Sequence, residues 1–404
     1  MDETDNPYAP GAGSRPPELA GRGEALERAR ITIARAQKQR SFKSFIFVGL
    51  RGVGKTVLLN EIIRMAEEVG CKTVLVEAHD RKPLPDLLVP ELRKLLLSLD
   101  TMAKATAATR RALRIFRSFV GSVKLKVEGV DVGIALPPEK GTADSGDLEA
   151  DLPTLFLAVG EAANSRGAVI VLAIDELQYL SDVELSALIM AIHKISQRGL
   201  PLLVVGAGLP QLVGQMGASK SYSERLFEFP KIGELAPGDA MAALKEPAAK
   251  EGVEFSSQAL DEIVCVTSGY PYFLQEWGYC VWNIAERSPI ARADVDRAHE
   301  MATQRLDASF FRVRLDRLTP REKDYLRAMA ELGAGPHRSG DIAEMLGVQV
   351  ESVAPLRSNL IRKGMVFSPQ HGDTAFTVPL FDQYMKRAIP KMTKPRARKH
   401  RPGP

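Results

Sequence analysis

A glycine-rich loop at residues 49–56 constrains this chain more than any other feature. It reads Gly-Leu-Arg-Gly-Val-Gly-Lys-Thr, which satisfies the spacing G-x-x-x-x-G-K-[ST] of a phosphate-binding loop. The apolar, β-favouring run 45–48 precedes it, and residues 57–63 begin a helical pattern directly after it. A strand therefore delivers the loop, and a helix N-terminus with its favourable dipole receives the anion. The loop predicts a site for a nucleoside triphosphate, and a chance glycine-rich turn is the alternative.

Each residue type in the loop has a physical reason to be there. Gly49, Gly52 and Gly54 let the backbone curl so that several N–H groups point at one anion. Lys55 is predicted to reach the β- and γ-phosphates of ATP, and Thr56 to hold Mg²⁺ through its hydroxyl. The predicted nucleotide contacts of the loop are Gly49, Leu50, Arg51, Gly52, Val53, Gly54, Lys55, Thr56 and Val57.

The second half of the predicted site follows a buried strand. Residues 168–174 are apolar without polar alternation, as in a strand covered on both faces of a parallel sheet, and they lead into Asp175-Glu176. An acid at this strand tip is predicted to hold Mg²⁺ opposite Thr56. Glu176 is then placed to polarise an attacking water, which predicts hydrolysis of ATP. A strand-to-helix cap, with Asp175 accepting backbone N–H bonds, is the alternative.

Length and composition are those of a globular protein with two or three domains. The chain has 404 residues, of which 45% are hydrophobic and 26% charged. No apolar run approaches the ~20 residues that span a bilayer, so no membrane segment is predicted. Cys71, Cys265 and Cys280 are scattered and odd in number, which disfavours structural disulfides and zinc and favours a reducing cytoplasm.

Positive charge is concentrated at the C-terminal end. The whole chain carries a formal +4, but the part from residue 386 onward carries +8 without an acid, so the rest sums to about −4. Affinity for nucleic acid is therefore predicted to concentrate in this tail. The alternative is that residues 389–404 form a disordered tail that increases solubility and does not bind nucleic acid. The basic residues of the tail are Lys386, Arg387, Lys391, Lys394, Arg396, Arg398, Lys399 and Arg401.

The order of strand and helix patterns predicts an α/β fold with a doubly wound parallel sheet, followed by helical units. Residues 1–17 are rich in Pro, Gly and Asp and are predicted to be disordered, and 18–236 form the predicted nucleotide-binding core. A helix is predicted over 86–118, and an insertion over about 101–148 carries a hairpin pattern around Glu128-Gly129. Helical patterns then predict a lid domain over 237–310.

Residues 311–388 predict a winged helix-turn-helix. Thr319-Pro320 starts one helix, two further helical patterns follow, and a strand–turn–strand pattern closes the unit. The third helix of such a unit commonly enters the major groove of DNA. Yet residues 318–385 hold seven basic and eight acidic side chains, which is a poor footprint for a phosphate backbone. DNA and protein partners therefore both stay open. The predicted DNA contacts are Arg357, Arg362 and Lys363.

With these features in order, the chain resembles the origin-recognition and initiator-like branch of the AAA+ ATPases and the related STAND signalling ATPases. The resemblance covers about residues 18–386. Gly21-Arg22 is similar to the box that lies near adenine in these families, and Gly269-Tyr270-Pro271 is similar to the element that opens their lid helix. The resemblance implies that Gly21, Arg22 and Pro271 contact the nucleotide.

The same resemblance implies a shared active site. Arg225 lies in Ser223-Glu224-Arg225-Leu226-Phe227, where these families place an arginine that reaches the γ-phosphate of a neighbouring subunit in a homo-oligomer. Pairing with Glu224 or Glu228 is the simpler alternative for this arginine. The predicted catalytic residues are Glu176, Lys55 and Arg225.

Two departures from the family pattern predict slow turnover. The strand that ends Val205-Gly206-Ala207-Gly208 lacks the Asn, Ser or Thr that senses the γ-phosphate, and no arginine lies at the usual lid position. Loss of one such contact costs about 3 kcal/mol in the transition state. Two functions follow as alternatives. One is an ATPase that assembles on DNA, and the other is a slow nucleotide switch that acts through protein partners.

Overall fold

The computed structural model of the protein describes residues 1–11, 13–100, 106–123, 136–370 and 372–391. The predicted hairpin falls on 124–135 and the greater part of the basic tail on 392–404, so both lie outside the described residues. Within the described ranges, no helix has the length and apolar character required to cross a membrane.

A five-stranded parallel sheet forms the centre of the N-terminal half, in the strand order β2-β3-β4-β1-β5. Its strands are β1 (Ser44–Val48), β2 (Lys72–Glu77), β3 (Ile170–Asp175), β4 (Leu202–Gly208) and β5 (Phe227–Glu228). Val48 pairs with Gly208 and Ile174 with Gly206, so the carboxyl ends of β1, β3 and β4 meet at one edge. The predicted doubly wound parallel sheet is confirmed.

Both faces of the sheet are covered because alternate residues of each strand face opposite layers. Phe45 and Phe47 of β1 lie in one buried cluster, and Ile46 and Val48 lie in the other. The helices of this half are α1 (Gly23–Gln37), α2 (Lys55–Glu68), α3 (Leu84–Asp100), α4 (Ala107–Ser122), α5 (Leu148–Asn164), α6 (Asp182–Gln197), α7 (Leu212–Ser219) and α8 (Ser223–Leu226).

The single helix predicted over 86–118 is two helices, α3 and α4, separated by residues that include the undescribed 101–105. Thr106 accounts for the new start, because its hydroxyl caps α4 by accepting the Thr109 N–H at 3.1 Å. The apolar spacing continues through both helices, which is why the sequence pattern alone does not separate them.

The second unit is entirely helical and corresponds to the predicted lid. Proline at the first position starts two of its helices, where a missing N–H costs nothing. We call Pro237–Leu306 the lid. Its helices are α9 (Pro237–Lys250), α10 (Ser257–Thr267), α11 (Pro271–Ile284) and α12 (Arg292–Leu306).

A π turn, Asp307–Phe311, and the short helix α13 (Arg312–Leu315) lead from the lid into the C-terminal module, Pro320–Ala388. The module holds α14 (Pro320–Leu332), β6 (His337–Arg338), α15 (Ser339–Leu346), α16 (Val350–Arg362), β7 (Val366–Phe367), β8 (Asp373–Phe376) and α17 (Phe381–Ala388). Its strands form an antiparallel sheet in the order β6-β8-β7. Strand β6 and helix α17 are additions to the three helices and the hairpin that the sequence predicts.

Aromatic side chains join the lid to the C-terminal module. Phe310 stacks on Tyr272 of α11 with ring centroids 4.5 Å apart, and the next residue, Phe311, stacks on Tyr384 of α17 at 5.1 Å. Phe381 of α17 also contacts Phe311, at 5.7 Å. Aromatic pairs at such distances stabilise beyond the apolar area they bury. The lid and the module therefore share one core.

The predicted disorder of residues 1–17 is wrong for the first residues of the chain. Tyr8 is only 3% exposed, and its hydroxyl donates to the Leu244 carbonyl at 2.6 Å. The Asn6 amide donates to Asn283 Oδ1 at 2.6 Å, and the Trp282 indole N–H donates to the Asp2 carbonyl at 2.8 Å. One buried ring and these hydrogen bonds order a stretch whose Pro, Gly and Asp content predicts disorder.

Candidate functional site

The phosphate-binding loop lies between β1 and α2, and its backbone requires glycine. Gly54 has φ of 91° and is the N-cap of α2, and Gly52 has φ of 85°. These left-handed values are strained for any residue with a Cβ. At Gly49 the restriction is one of space, since a Cβ there would lie 2.0 Å from the Ile232 carbonyl oxygen. The sequence therefore folds into a tight loop at the start of a helix.

Lys55 is buried, with 6% of its surface exposed. Its Nζ donates to the carbonyls of Gly49 at 3.0 Å and Leu50 at 2.8 Å, so the ammonium is held inside the loop. Burial lowers the pKa of Lys55 to about 8, although the nearby carboxylates of Glu176 and Asp175 act in the opposite direction. A cation in this position is ready to meet an anion in the loop.

Thr56 and Asp175 lie together at the edge where α2 begins and β3 ends. The Thr56 hydroxyl donates to Asp175 Oδ2 at 2.5 Å, and the Glu176 N–H donates to Asp175 Oδ1 at 2.8 Å. Burial raises the pKa of Asp175, and the hydrogen bond from Thr56 opposes that rise. The arrangement presents a hydroxyl and a carboxylate on one side of the loop.

Glu176 is held in a defined position by its neighbours. Its φ of 54° turns the chain sharply after β3. Its carboxylate accepts a hydrogen bond from the Gln178 amide and lies 3.6 Å from the Arg51 guanidinium. Gln178 also accepts the Leu209 N–H at 3.0 Å, beside the end of β4. Gln178 is thus a polar contact for Glu176 that the sequence analysis did not single out, although it follows Glu176 by two residues.

The tip of β4, where the expected polar residue is missing, has no room for one. A Cβ at Gly206 would lie 2.4 Å from Leu177 Cδ1, and a Cβ at Gly208 would lie 2.6 Å from Leu212 Cδ2. The glycines let Leu177 and Leu212 pack against this strand. The Gln178 side chain lies at this tip, since its Oε1 would be 3.0 Å from a Cβ on Gly208.

A cavity of about 980 Å³ opens over the loop. Residues 51–57 line it together with Arg22, Asp175, Glu176 and Pro271, so the structure brings together most of the predicted site. Arg22 donates to the carbonyls of Val53 and Gly233, at 3.1 and 2.6 Å.

Four predicted residues lie outside the lining of this cavity. Gly49 and Leu50 contribute carbonyls to Lys55 instead. Gly21, which precedes Arg22, has φ of 66° and does not line the cavity. Arg225 is exposed on α8 and likewise outside the described lining. Glu228, one of its suggested partners, forms its ion pair with Arg28.

The predicted DNA contacts do not form one surface. Arg357 is turned inward and donates to Thr374 Oγ1, Ser368 Oγ and the Asp373 carbonyl at 2.7–2.9 Å. Its guanidinium thus fixes the hairpin, in contrast to the predicted role. Arg362 and Lys363 line the cavity over the phosphate-binding loop. Sequence spacing placed all three near one helix but could not show which side of it faces the core.

Several cavity residues come from elements that local motifs do not reach. Arg314 of α13 is half-buried, lies 3.9 Å from the centroid of the Phe310 ring and faces the cavity together with Arg317. Burial lowers the pKa of Arg314 to about 10, and the nearby Arg51 acts in the same direction. The sequence pattern places no arginine at the usual lid position. Arg314 brings a guanidinium to the cavity from α13, the helix that follows the lid. No sequence signal other than its positive charge marks it.

The residues present fit ATP with Mg²⁺. The cavity is large enough for a nucleotide, its floor carries curled backbone and Lys55, and Thr56 and Asp175 offer oxygen ligands. Among the described residues, no group of three or more His, Cys, Asp or Glu side chains could hold a metal by itself. Mg²⁺ that shares its coordination with phosphates and waters needs only one or two protein oxygens, so this pair is sufficient.

Residues 18–205 match the family described as AAA ATPase domain. The match covers somewhat less than half of the 404 residues and makes this part of the chain similar to an AAA ATPase domain. This match spans α1, the phosphate-binding loop, the Asp175-Glu176 strand and most of β4. A second match, over residues 308–385, is to a family described as a domain of unknown function (DUF8462), and it coincides with α13 and the C-terminal module.

Comparison with known proteins finds likenesses that cover most of the chain. A protein of Methanocaldococcus jannaschii described as an uncharacterized HTH-type transcriptional regulator is 24% identical over 81% of this chain and 79% of its own. The Walker-type ATPase of Pyrococcus abyssi superposes with a TM-score of 0.58 at 16% identity, over 91% of this chain and 96% of that one. The Aeropyrum pernix ORC1 protein, solved in complex with DNA, gives a TM-score of 0.47 at 17% identity, over 92% and 94% of the two chains. The Pyrococcus likeness supports the P-loop ATPase fold.

Proposed function

We propose that this AAA ATPase domain binds ATP with Mg²⁺ and hydrolyses it slowly, and that the lid and C-terminal module respond to the nucleotide. The observation that carries the proposal is the 2.5 Å contact between Thr56 Oγ1 and Asp175 Oδ2, directly beside Glu176. These two oxygens are 119 residues apart in sequence. Their meeting at the mouth of the loop is what a shared metal ion requires.

Each residue then has a defined task. The loop N–H groups and Lys55 bind the phosphates, and Thr56 with Asp175 would hold Mg²⁺, which neutralises phosphate charge when bound. Glu176 accepts a proton from the attacking water. Arg314 and Arg317 face the same cavity and add positive charge from the far side. Because these arginines follow the lid, nucleotide binding is coupled to the position of the lid.

Three variants test this proposal. Lys55→Ala should abolish ATP binding or turnover, and Asp175→Ala should weaken the Mg²⁺ dependence of nucleotide affinity. Glu176→Gln should retain ATP binding but lose turnover by about 10²-fold or more, since it removes the general base. Isothermal titration gives the affinities and phosphate release gives the rates. Equal, near-zero rates for wild type and Glu176→Gln would remove the enzyme and leave a binding switch.

DNA binding is a second candidate function. It is supported by the helix-turn-helix description of the Methanocaldococcus relative and by the basic tail. Protein partners are the alternative, supported by an exposed apolar patch around the α15–α16 turn, where Met345, Val348 and Val350 are 36–46% exposed. Gel-shift titrations of the full chain over a salt series separate the two. A shift that weakens steeply with salt supports DNA, and an absent or salt-insensitive shift supports protein partners.

Assembly into a homo-oligomer is proposed from the position of Arg225. Its exposure on α8, outside the lining of its own cavity, leaves it accessible to the site of a neighbouring copy. Arg225→Ala should then lower turnover per subunit without changing ATP affinity, and wild-type turnover should rise with protein concentration. Mass measurement with and without ATP checks assembly. A monomer at all concentrations, with full turnover in the variant, contradicts the proposal.

A further inference from the structure

One arginine of the phosphate-binding loop connects three parts of the molecule. The Arg51 guanidinium lies 3.6 Å from Glu176 Oε1, donates to the Tyr179 hydroxyl at 2.5 Å and donates through Nε to the Gly364 carbonyl at 3.3 Å. Its backbone N–H donates to the Thr377 carbonyl at 3.2 Å. Arg51 therefore contacts the candidate catalytic acid and the C-terminal module at the same time.

The lid holds the same residue from the other side. The Tyr270 hydroxyl donates to the Arg51 carbonyl, and the Tyr272 N–H donates to the Gly52 carbonyl at 3.3 Å. The fit against the module is close, because a Cβ on Gly364 would lie 2.6 Å from Arg51 Nη2. The Arg51 and Glu176 side chains are only 19% and 17% exposed, so water screens their attraction weakly.

The charge at this junction restrains Glu176. A carboxylate that faces a guanidinium and accepts a hydrogen bond from Gln178 is drawn toward these partners instead of toward a water. The Nε bond to the Gly364 carbonyl and the bond to the Tyr179 hydroxyl together fix the plane of the Arg51 guanidinium. When the module moves away, the support from Gly364 is lost, and the guanidinium, then held on its Tyr179 side, gains freedom to turn.

We propose that Arg51 is a positioning residue that holds Glu176 away from catalysis while the C-terminal module is docked, so that release of the module raises the turnover of ATP. This inference rests on the proposed ATPase function. It assigns to the module the regulation of that site, through the contact between Arg51 and Gly364. The contact between Arg51 and Gly364 breaks when a molecule that binds the C-terminal module draws the module away from the loop.

Two variants break the contact from opposite sides. Arg51→Met removes the charge and keeps the backbone N–H that donates to the Thr377 carbonyl, and Gly364→Ala pushes the intact guanidinium away with a Cβ. Gly372→Ala is the matched control, since Gly372 has φ of 85° against 65° for Gly364 but has nothing within 4 Å of an added Cβ. The control carries a similar backbone strain in the same module and leaves Arg51 untouched.

The expected result is a split between kcat and KM. Both Arg51→Met and Gly364→Ala should raise kcat about three- to tenfold, and Gly364→Ala, which leaves every side chain of the phosphate-binding loop in place, should keep KM and ATP affinity within about twofold of wild type. Gly372→Ala should match wild type. Hydrogen exchange of residues 364–367 should become faster in Gly364→Ala, and circular dichroism should report a folded chain for each variant. A purely structural contact would lower kcat or leave it unchanged.

The outcomes separate this inference from the proposed function. If wild type hydrolyses ATP and kcat is unchanged or lower in Arg51→Met or in Gly364→Ala, the inference is overturned and the ATPase stands. If the wild type is inactive but both variants hydrolyse ATP, the restraint is supported in its strongest form. If ATP binds but no variant hydrolyses it, both the hydrolysis and the restraint are overturned.

Discussion

The affinity for ATP should fall as pH rises through the pKa of Lys55. In the free protein, burial lowers that pKa to about 8, and bound phosphates would raise it again because they favour the ammonium. The binding-competent, protonated fraction is thus nearly complete below pH ~7, about half at pH ~8 and lost at higher pH. With only this group titrating, Kd should rise about eightfold between pH ~7.5 and pH ~9.

The other basic groups of the cavity do not imitate this effect. Arg314 has a pKa of about 10, so it stays mostly charged over this range and changes Kd by only about 1.1-fold. The proton uptake expected on binding is about half a proton at pH 8 and about 0.9 of a proton at pH 9.

Isothermal titration with a non-hydrolysable ATP analogue, in two buffers of different ionisation heat, measures both the affinity and the proton uptake. Lys55→Arg is the matched control, because a guanidinium stays charged over the whole range and should give a flat profile if it binds. A wild-type Kd that does not change between pH ~7.5 and pH ~9, with no proton uptake, would refute the reasoning from burial.

Two stability predictions follow from packing. Tyr8→Ala should destabilise the protein by about 3–4 kcal/mol because it removes a buried ring, and Tyr8→Phe by about 1 kcal/mol because it removes a hydrogen bond. Glu3→Ala changes an exposed side chain and should leave the stability unchanged. A melting curve of Tyr8→Ala that equals that of wild type would contradict the packing of the N-terminal residues against the lid. Gly206→Ala should lower the free energy of unfolding by about 1–3 kcal/mol because the added Cβ would lie 2.4 Å from Leu177. Denaturant unfolding compares it with Gly214→Ala, where nothing lies within 4 Å of the added Cβ. Equal unfolding midpoints of the two variants would refute the clash.

Local sequence signals were sufficient for the centre of the site. The loop at 49–56 and the strand that ends in Asp175 each carry a strand, a turn and a charge within a few residues, and the parallel sheet brings their ends to one edge. The pairing of Thr56 with Asp175 follows from that topology. For such elements, periodicity and motif spacing contain most of the geometry.

The rest of the site depends on contacts between distant parts of the chain. Arg51 and Gly364 are 313 residues apart, and Tyr8 and Leu244 are 236 apart. Neither pair has a local pattern, because each depends on how separate units pack. The three basic residues near α16 show the same limit. Their charge suggests DNA, but the fold turns Arg357 to its own hairpin.

The row of rings between the lid and the C-terminal module has a mechanical consequence. Phe310 and Phe311 are consecutive in one π turn, yet they stack on opposite neighbours. Pulling those neighbours apart would expose aromatic surface of about 150–250 Å² per ring. The lid and the C-terminal module should therefore move together as one rigid unit. The hydrogen bonds of Tyr270 and Tyr272 to the loop should break in the same movement. Exchange of the nucleotide and separation of Glu176 from Arg51 would then occur together.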